Sequence, residues 1–216
     1  MIAPRLAAVV LCGGASRRMG RDKAWIPFGG ASLLQRVSGR LAAMPSVAAV
    51  FVVAAANQDL PPLPPGVEVR RDPERDGGPL LGLATGLRAA AATADQAFVT
   101  TTDAPFIHAS FVRRLAVLAT GTAATLVCDE DGERLHPLTA IYRCTLHVQA
   151  ERRFAEGERR ALALAAGARP VRHVTRRQLL ADPALRRDDP ELLCLSNVNT
   201  PAELAAARRR LPLGSP

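Results

Sequence analysis

The chain has 216 residues, 48% of them hydrophobic, enough for one α/β domain with a substantial core, yet it never approaches the roughly 20 uninterrupted apolar residues of a membrane-spanning helix. Its formal net charge of +8 suits anionic partners such as nucleotides and phosphorylated cofactors. Aromatic residues at 4%, with a single Trp25 and a single Tyr142, leave too few stacking surfaces for nucleic-acid binding as the main task.

Apolar, β-branched runs alternate with longer Ala/Leu/Arg segments, the pattern of an α/β domain with a largely parallel sheet. Strands are expected at Leu6–Leu11, Val47–Val53, Glu68–Arg70, Gln96–Thr100, Thr125–Cys128 and around Thr139–Tyr142. The first of these runs is short for a secretion signal, and no small-residue cleavage site follows it. Helices are expected at Ser32–Met44, Pro79–Ala92, Ser110–Leu118, Leu146–Glu156 and Pro201–Leu211; two begin on proline, which suits a first helical turn. Leu60 to Gly66 reads as a stiff proline-rich connection, and the Arg/Asp-rich stretch Thr175–Glu191 as a solvated excursion. No internal repeat is present. Four widely spaced cysteines, Cys12, Cys128, Cys144 and Cys194, form no C-x-x-C pair and no metal-ligand cluster with the four histidines, so buried reduced thiols in a soluble, cytoplasmic protein are expected.

After the first strand comes Cys12-Gly-Gly-Ala-Ser-Arg-Arg-Met-Gly20, then Arg21-Asp-Lys23. Adjacent glycines let backbone N–H groups approach an anion, and Arg17, Arg18 and Lys23 supply positive charge, which together suit a polyphosphate. Neither G-x-x-x-x-G-K-[ST] nor G-x-G-x-x-G is present, so a glycine-rich turn with surface arginines is the alternative. Of the 28 basic residues, all but Lys23 are arginine, and a position that keeps lysine in such a composition needs a compact ammonium. Asp103, just past an expected strand end, lies where open α/β sheets bind ligands. A carboxylate there either holds Mg2+ or caps the next turn.

The string Leu11-Cys-Gly-Gly-Ala-Ser-Arg-Arg-Met-Gly-Arg-Asp-Lys23 resembles the L-A-G-G…R-M-G…D-K signature of the molybdenum cofactor guanylyltransferase family, the molybdopterin nucleotidyltransferases. Similarity continues in order through Arg71-Asp72, Gly78-Pro-Leu-Leu-Gly82, Thr102-Asp-Ala-Pro-Phe106, His136-Pro137 and Asn197-Val-Asn-Thr-Pro-Ala-Glu-Leu204. The resemblance implies a Rossmann-like, three-layer α/β/α domain spanning 1–216, its N-terminal part binding nucleotide and its C-terminal part facing the pterin. It implies a transfer of GMP from GTP to the terminal phosphate of molybdopterin, with Mg2+ as cofactor. Leu11, Cys12, Gly13 and Gly14 would contact base and phosphates through their backbone. Lys23 and Arg18 would meet the triphosphate, Asp103 would hold the metal, and Asp72 would lie against base or ribose. Asn197, Asn199 and His136, with Arg143, would shape the pterin side.

Other readings stay open beside these. Asp72 has a strand-end salt bridge with Arg70 or Arg71 as its alternative, Gly78 to Gly82 a plain loop-helix junction, and the two asparagines a turn before the cap Thr200. Departures from the family are Cys12 in place of alanine, a short Gly20-to-Asp22 spacing, and Ala54 where an asparagine often closes the second strand. Gly13 favours GTP over CTP, which the sister group with an A-A-G signature uses, because a missing methyl leaves room for a purine. A non-catalytic nucleotide-binding subunit and a basic RNA-binding module are the readings from other classes. Partners are expected to be GTP and molybdopterin, with transient contact to cofactor-biosynthesis proteins or acceptor oxidoreductases, and neither nucleic acid nor membrane.

Overall fold

The computed structural model describes residues 5–13, 22–74, 77–129, 132 and 134–211. In chain order, β1 (Leu6–Leu11) is followed by a 3-10 turn (Lys23–Trp25), a small ribbon of β2 (Pro27–Phe28) and β3 (Ala31–Ser32), then α1 (Leu33–Ala42), β4 (Val47–Ala54) and β5 (Val67–Arg71). Next come α2 (Gly78–Ala90), β6 (Gln96–Thr101), α3 (Ala109–Leu118), β7 (Ala124–Cys128) and β8 (Leu135–Arg143). The order ends with α4 (His147–Ala155), α5 (Ala161–Gly167), β9 (Val171–Val174), α6 (Arg176–Leu180), α7 (Pro183–Asp188) and α8 (Pro201–Arg209).

Seven strands form one sheet in the order β5-β4-β1-β6-β8-β7-β9. All pairs are parallel except those of β8, which runs against both β6 and β7. The connection from Cys128 to Leu135 is far shorter than the dozen or more residues of a parallel crossover, so β7 and β8 must form a hairpin. Pro137, which has no N–H to donate, lies where the β7–β8 register shifts and outside the β6 pairing of Ala140–Arg143, a place where the ladder tolerates it.

Alternation along β1 sends side chains to two cores. Leu6, Ala8 and Val10 pack with Leu34, Val37 and Leu41 of α1 and Phe111, Val112 and Leu115 of α3. Ala7, Val9 and Leu11 pack with Leu80, Leu83 and Leu87 of α2 and Leu164 of α5. Both faces of the sheet are therefore covered, which gives the expected three layers and explains why all six residues of β1 are buried and apolar. Each fully buried leucine contributes about 1.5–3 kcal/mol. Helix α2 lies unusually close to β1 because it carries Gly86, whose added Cβ would stand 2.3 Å from Val9 Cγ1.

The reading of Thr175–Glu191 as a solvated excursion is corrected. Thr175 and Gln178 form a capping box that starts α6, and Asp182 caps α7. Leu179 and Leu185 are fully buried in the core beside α3. One buried leucine per short helix suffices for docking, while the arginines face outward and dominate the sequence pattern. Helix α5 and strand β9 are likewise additions to the expected elements.

β1 lies between β4 and β6 although it precedes both, so the chain leaves β1 toward one edge and later returns to the other side. The carboxyl ends of β1 and β6 thus flank the crevice at the switch point, where such sheets bind ligands.

Candidate active site

Lys23 and Asp103 meet at that crevice. Lys23 opens the 3-10 turn that Asp22 caps by accepting from the Ala24 N–H at 2.9 Å. Its Nζ donates to Asp103 Oδ2 at 2.6 Å and to Asn199 Oδ1 at 2.8 Å. Asp103 follows β6 by two residues, and its other oxygen accepts from Thr101 Oγ1 at 2.5 Å. The Asp103 carbonyl accepts from Val198 N–H at 2.8 Å, which ties the segment before α8 to the same rim. Three stretches far apart in the chain therefore converge on one ammonium. The Lys23 and Asp103 side chains are 19% and 14% exposed, so the cluster is sheltered from screening yet reachable by a ligand.

Leu11 ends β1, and Cys12 continues beside Val53, donating its N–H to the Val53 carbonyl at 2.8 Å. Burial pushes the Cys12 thiol up to about 11, and the other three cysteines are buried as well, as expected. Among the described residues Gly13 has ordinary space around it: an added Cβ would meet Ala55 N at 3.9 Å. Packing against the described residues therefore does not demand a glycine there. Gly14, Arg17 and Arg18 lie outside the described residues.

Asp72 sits just past β5, anchored by its N–H to the Ala54 carbonyl at 2.8 Å. The salt-bridge alternative is corrected: Arg70 pairs with Glu68 at 2.7 Å, and Arg71 donates to the Ala55 and Gln58 carbonyls at 3.0 and 2.7 Å. The Asp72 carboxylate turns toward α2, near Gly82, whose own missing Cβ leaves space beside Leu11. Burial raises its pKa against a hydrogen bond from Thr85, and its Oδ1 is buried with no hydrogen-bond partner among the described residues. A buried acceptor left open costs free energy, in keeping with the burial that raises this carboxyl's pKa.

Asn199 does not cap the last helix. Thr200 does, in a box with Glu203, and the Asn199 side chain is left to hold Lys23. Asn197 is exposed two residues away on the same segment. His136 opens β8 and bonds Asp129 at 2.9 Å. Because β8 is antiparallel, its amino end reaches the same rim as Asp103. Arg143 is at the opposite rim, paired in register with Gln96 and donating to the Thr122 carbonyl at 3.1 Å, so its placement on the pterin side is corrected.

Two residues missed by the sequence reading complete the site. Thr101 orients Asp103. Gln58, in the turn after β4, donates its amide to the Cys12 carbonyl at 3.1 Å and to Asp22 Oδ2 at 2.8 Å. A single glutamine in a loop carries no motif, so nothing local marks it.

A second polar cluster, unforeseen because no spacing betrays it, joins His108, Asp189 and Cys194, whose ligand atoms lie within 4.8 Å of one another. Asp189 Oδ1 accepts from Leu193 N–H at 2.8 Å; its Oδ2 accepts from Cys194 N–H at 2.9 Å and lies 3.3 Å from His108 Nε2. Burial pushes this carboxyl up, but His108 and the two amides outweigh it and hold the pKa at about 2. The cluster secures the 193–195 turn.

Comparison with known proteins identifies the family to which such a sheet belongs. A protein of Mycobacterium ulcerans named "Probable molybdenum cofactor guanylyltransferase" is 42% identical over 207 residues, 94% of each chain. Among solved structures, molybdopterin-guanine dinucleotide biosynthesis protein A from Archaeoglobus fulgidus superposes with a TM-score of 0.71 at 22% identity, covering 94% of this chain and 97% of that one. The 2-C-methyl-D-erythritol 4-phosphate cytidylyltransferase of Thermus thermophilus gives 0.61 at 20% identity, with 94% and 97% covered, so the fold by itself does not select the nucleotide. Residues 8–177 match the MobA-like NTP transferase domain, and the chain is accordingly a member of the MobA-like NTP transferase family, a nucleotidyltransferase.

Proposed function

We propose that the chain transfers GMP from GTP to the terminal phosphate of molybdopterin, forming the guanine dinucleotide and releasing pyrophosphate. The observation that carries this reading is the convergence of Lys23, Asp103 and Asn199 at the switch-point crevice, in a chain whose relatives of 42% identity bear the guanylyltransferase name. An oxygen of the pterin phosphate forms the new bond to the α-phosphorus as the bond from that phosphorus to the β-phosphate bridging oxygen breaks. A phosphate monoester is an anion near neutral pH, so the attack requires no strong general base. Positioning and charge neutralisation supply the rate.

Asp103 Oδ2 and Asn199 Oδ1 are hard oxygen donors that already converge on one cation, the Lys23 ammonium. Such a set fits Mg2+, which binds through one or two carboxylates and substrate phosphates. When bound to Asp103, Mg2+ would neutralise the approaching phosphates and polarise the α-phosphate. Lys23 and Arg18 stabilise the departing pyrophosphate. The Leu11 to Gly14 main chain holds base and phosphates, and Asp72 accepts from the base or ribose. His136 and Asn197 face the pterin side of the crevice, which places nucleotide contacts in the N-terminal part and acceptor contacts in the C-terminal part of a single domain.

The bare Gly13 supports guanine over cytosine, since the described residues around it leave room for a methyl and a purine uses that room. Pyrophosphate release measured with GTP and then CTP, each with molybdopterin and Mg2+, tests the reading. GTP is expected to be the substrate; turnover with CTP alone would reassign the chain as a cytidylyltransferase.

A further inference from the structure

We propose that Gln58 is a positioning residue for the triphosphate, one that fixes the distance between the Cys12–Gly13 main chain and the turn bearing Lys23. The inference rests on the nucleotidyl-transfer reading and assigns that site a residue outside the family's motifs.

Cys12 and Asp22 stand at the two ends of the 13–21 stretch, and one side chain touches both. The Gln58 amide donates one hydrogen to the Cys12 carbonyl at 3.1 Å and the other to Asp22 Oδ2 at 2.8 Å. Its oxygen is engaged from behind by the Ala55 N–H at 3.3 Å. The turn itself is pinned, because Gln58 N–H donates to the Ala55 carbonyl at 3.1 Å and Arg71 Nη1 bonds both the Ala55 and Gln58 carbonyls.

Chemistry at this position is selective. A carbonyl and a carboxylate are both acceptors only, so the group between them must offer two donors, and of the short polar side chains only an amide does so while accepting from a third group. Glutamate would set a second negative charge against Asp22. The linkage runs on from Asp22, whose other oxygen receives Ala24 N–H, into the turn that places the Lys23 ammonium 2.6 Å from Asp103. A Cys12–Gly13 main chain and an ammonium held at a set spacing before the ligand arrives bind it with less ordering. Gln58 thus acts through Cys12 and Asp22, without touching the reacting atoms.

The full chain carrying Gln58→Ala, Gln58→Glu, or Gln58→Glu with Asp22→Asn tests this. Two readouts are needed: amide exchange at Ala24 in the nucleotide-free protein, and KM and kcat for whichever triphosphate the wild type turns over. Gln58→Ala is expected to raise KM ~10-fold with kcat within about 2-fold, and to speed Ala24 exchange by a similar factor, the scale of one lost hydrogen bond to a charged group. Gln58→Glu exceeds it. Adding Asp22→Asn removes the charge clash and restores the Asp22 half of the link, since the new amide donates to the introduced carboxylate while its oxygen still caps Ala24; the Cys12 carbonyl stays unmet, so the double variant is expected to return to the level of Gln58→Ala and no further. Unchanged exchange at Ala24 in both single variants overturns the proposal whatever the substrate proves to be. So does a fall in kcat with KM intact, or a double variant no better than Gln58→Glu. A wild type that uses only CTP would sink the GTP assignment and leave these comparisons, made with CTP, to decide Gln58.

Discussion

Asp103 and Asp189 are both gripped by a basic side chain from a distant part of the chain, yet their surroundings differ in kind. Asp103 accepts one ammonium and one hydroxyl and keeps part of its surface open at a crevice. A carboxylate has about four acceptor sites, so this one retains capacity for a further partner. Asp189 is buried and faces two backbone amides plus a histidine, with little left to offer. A carboxylate saturated by its own main chain holds a fold together, whereas one that contacts only side-chain donors can exchange them for a ligand. Asp72 is a third case, with one oxygen buried and unmet among the described residues.

Substitution to asparagine at each site breaks or sharpens this contrast. The largest effect is expected at the crevice. Asp103→Asn, and Lys23→Ala beside it, should each lower turnover by ~10²-fold or more, as when one transition-state stabiliser is removed, with the unfolding midpoint little changed. Steady-state kinetics and a melting curve on the same sample would decide it, and wild-type turnover would undo the division. Asp189→Asn should do the reverse. Its folded pKa of about 2 lies below the ordinary value of 3.8, so the ionised group contributes stability that is present above about pH 4 and lost as the pH falls toward 2. The substitution should cost about 2 kcal/mol in denaturant unfolding at pH 7, flatten the acid limb and spare kcat.

The smallest change is expected at Asp72. Its folded pKa is raised by burial above the ordinary value of 3.8, so ionisation costs stability in full above the folded pKa, and the cost shrinks as the pH falls through it and vanishes below 3.8. Asp72→Asn should therefore leave stability at pH 7 equal or higher, while raising KM for GTP by ~10-fold, the loss of one hydrogen bond to a charged acceptor. A drop in stability without any change in KM would place Asp72 with Asp189.

Where short-range pattern governs, the sequence was a good guide. Leu6–Leu11 is an apolar run buried throughout and Gln96–Thr101 a mostly buried run around Ala97–Val99, and their ends are legible to within a residue. Ser32 with Gln35 and Thr200 with Glu203 mark helix starts. The same signal was present at Thr175 and Gln178, but the arginines around it concealed that Leu179 and Leu185 enter the core. The meeting of Lys23 with Asp103 followed from strand ends at a switch point together with family motifs. Contacts such as Gln58 with Asp22 or His108 with Asp189 depend on how distant loops come together, and no local spacing encodes that. Arg143 was misplaced because a strand was recognised without its direction.

That direction has a practical side. With β8 reversed, Asp129 and His136 stand on the rim of the candidate crevice, and Asp95 and Arg143 stand on the opposite rim. If the proposed acceptor side is right, libraries that aim to change acceptor preference belong around Asp129 and His136. Affinity handles, fluorophores or surface tethers belong on the far rim, where they leave turnover untouched.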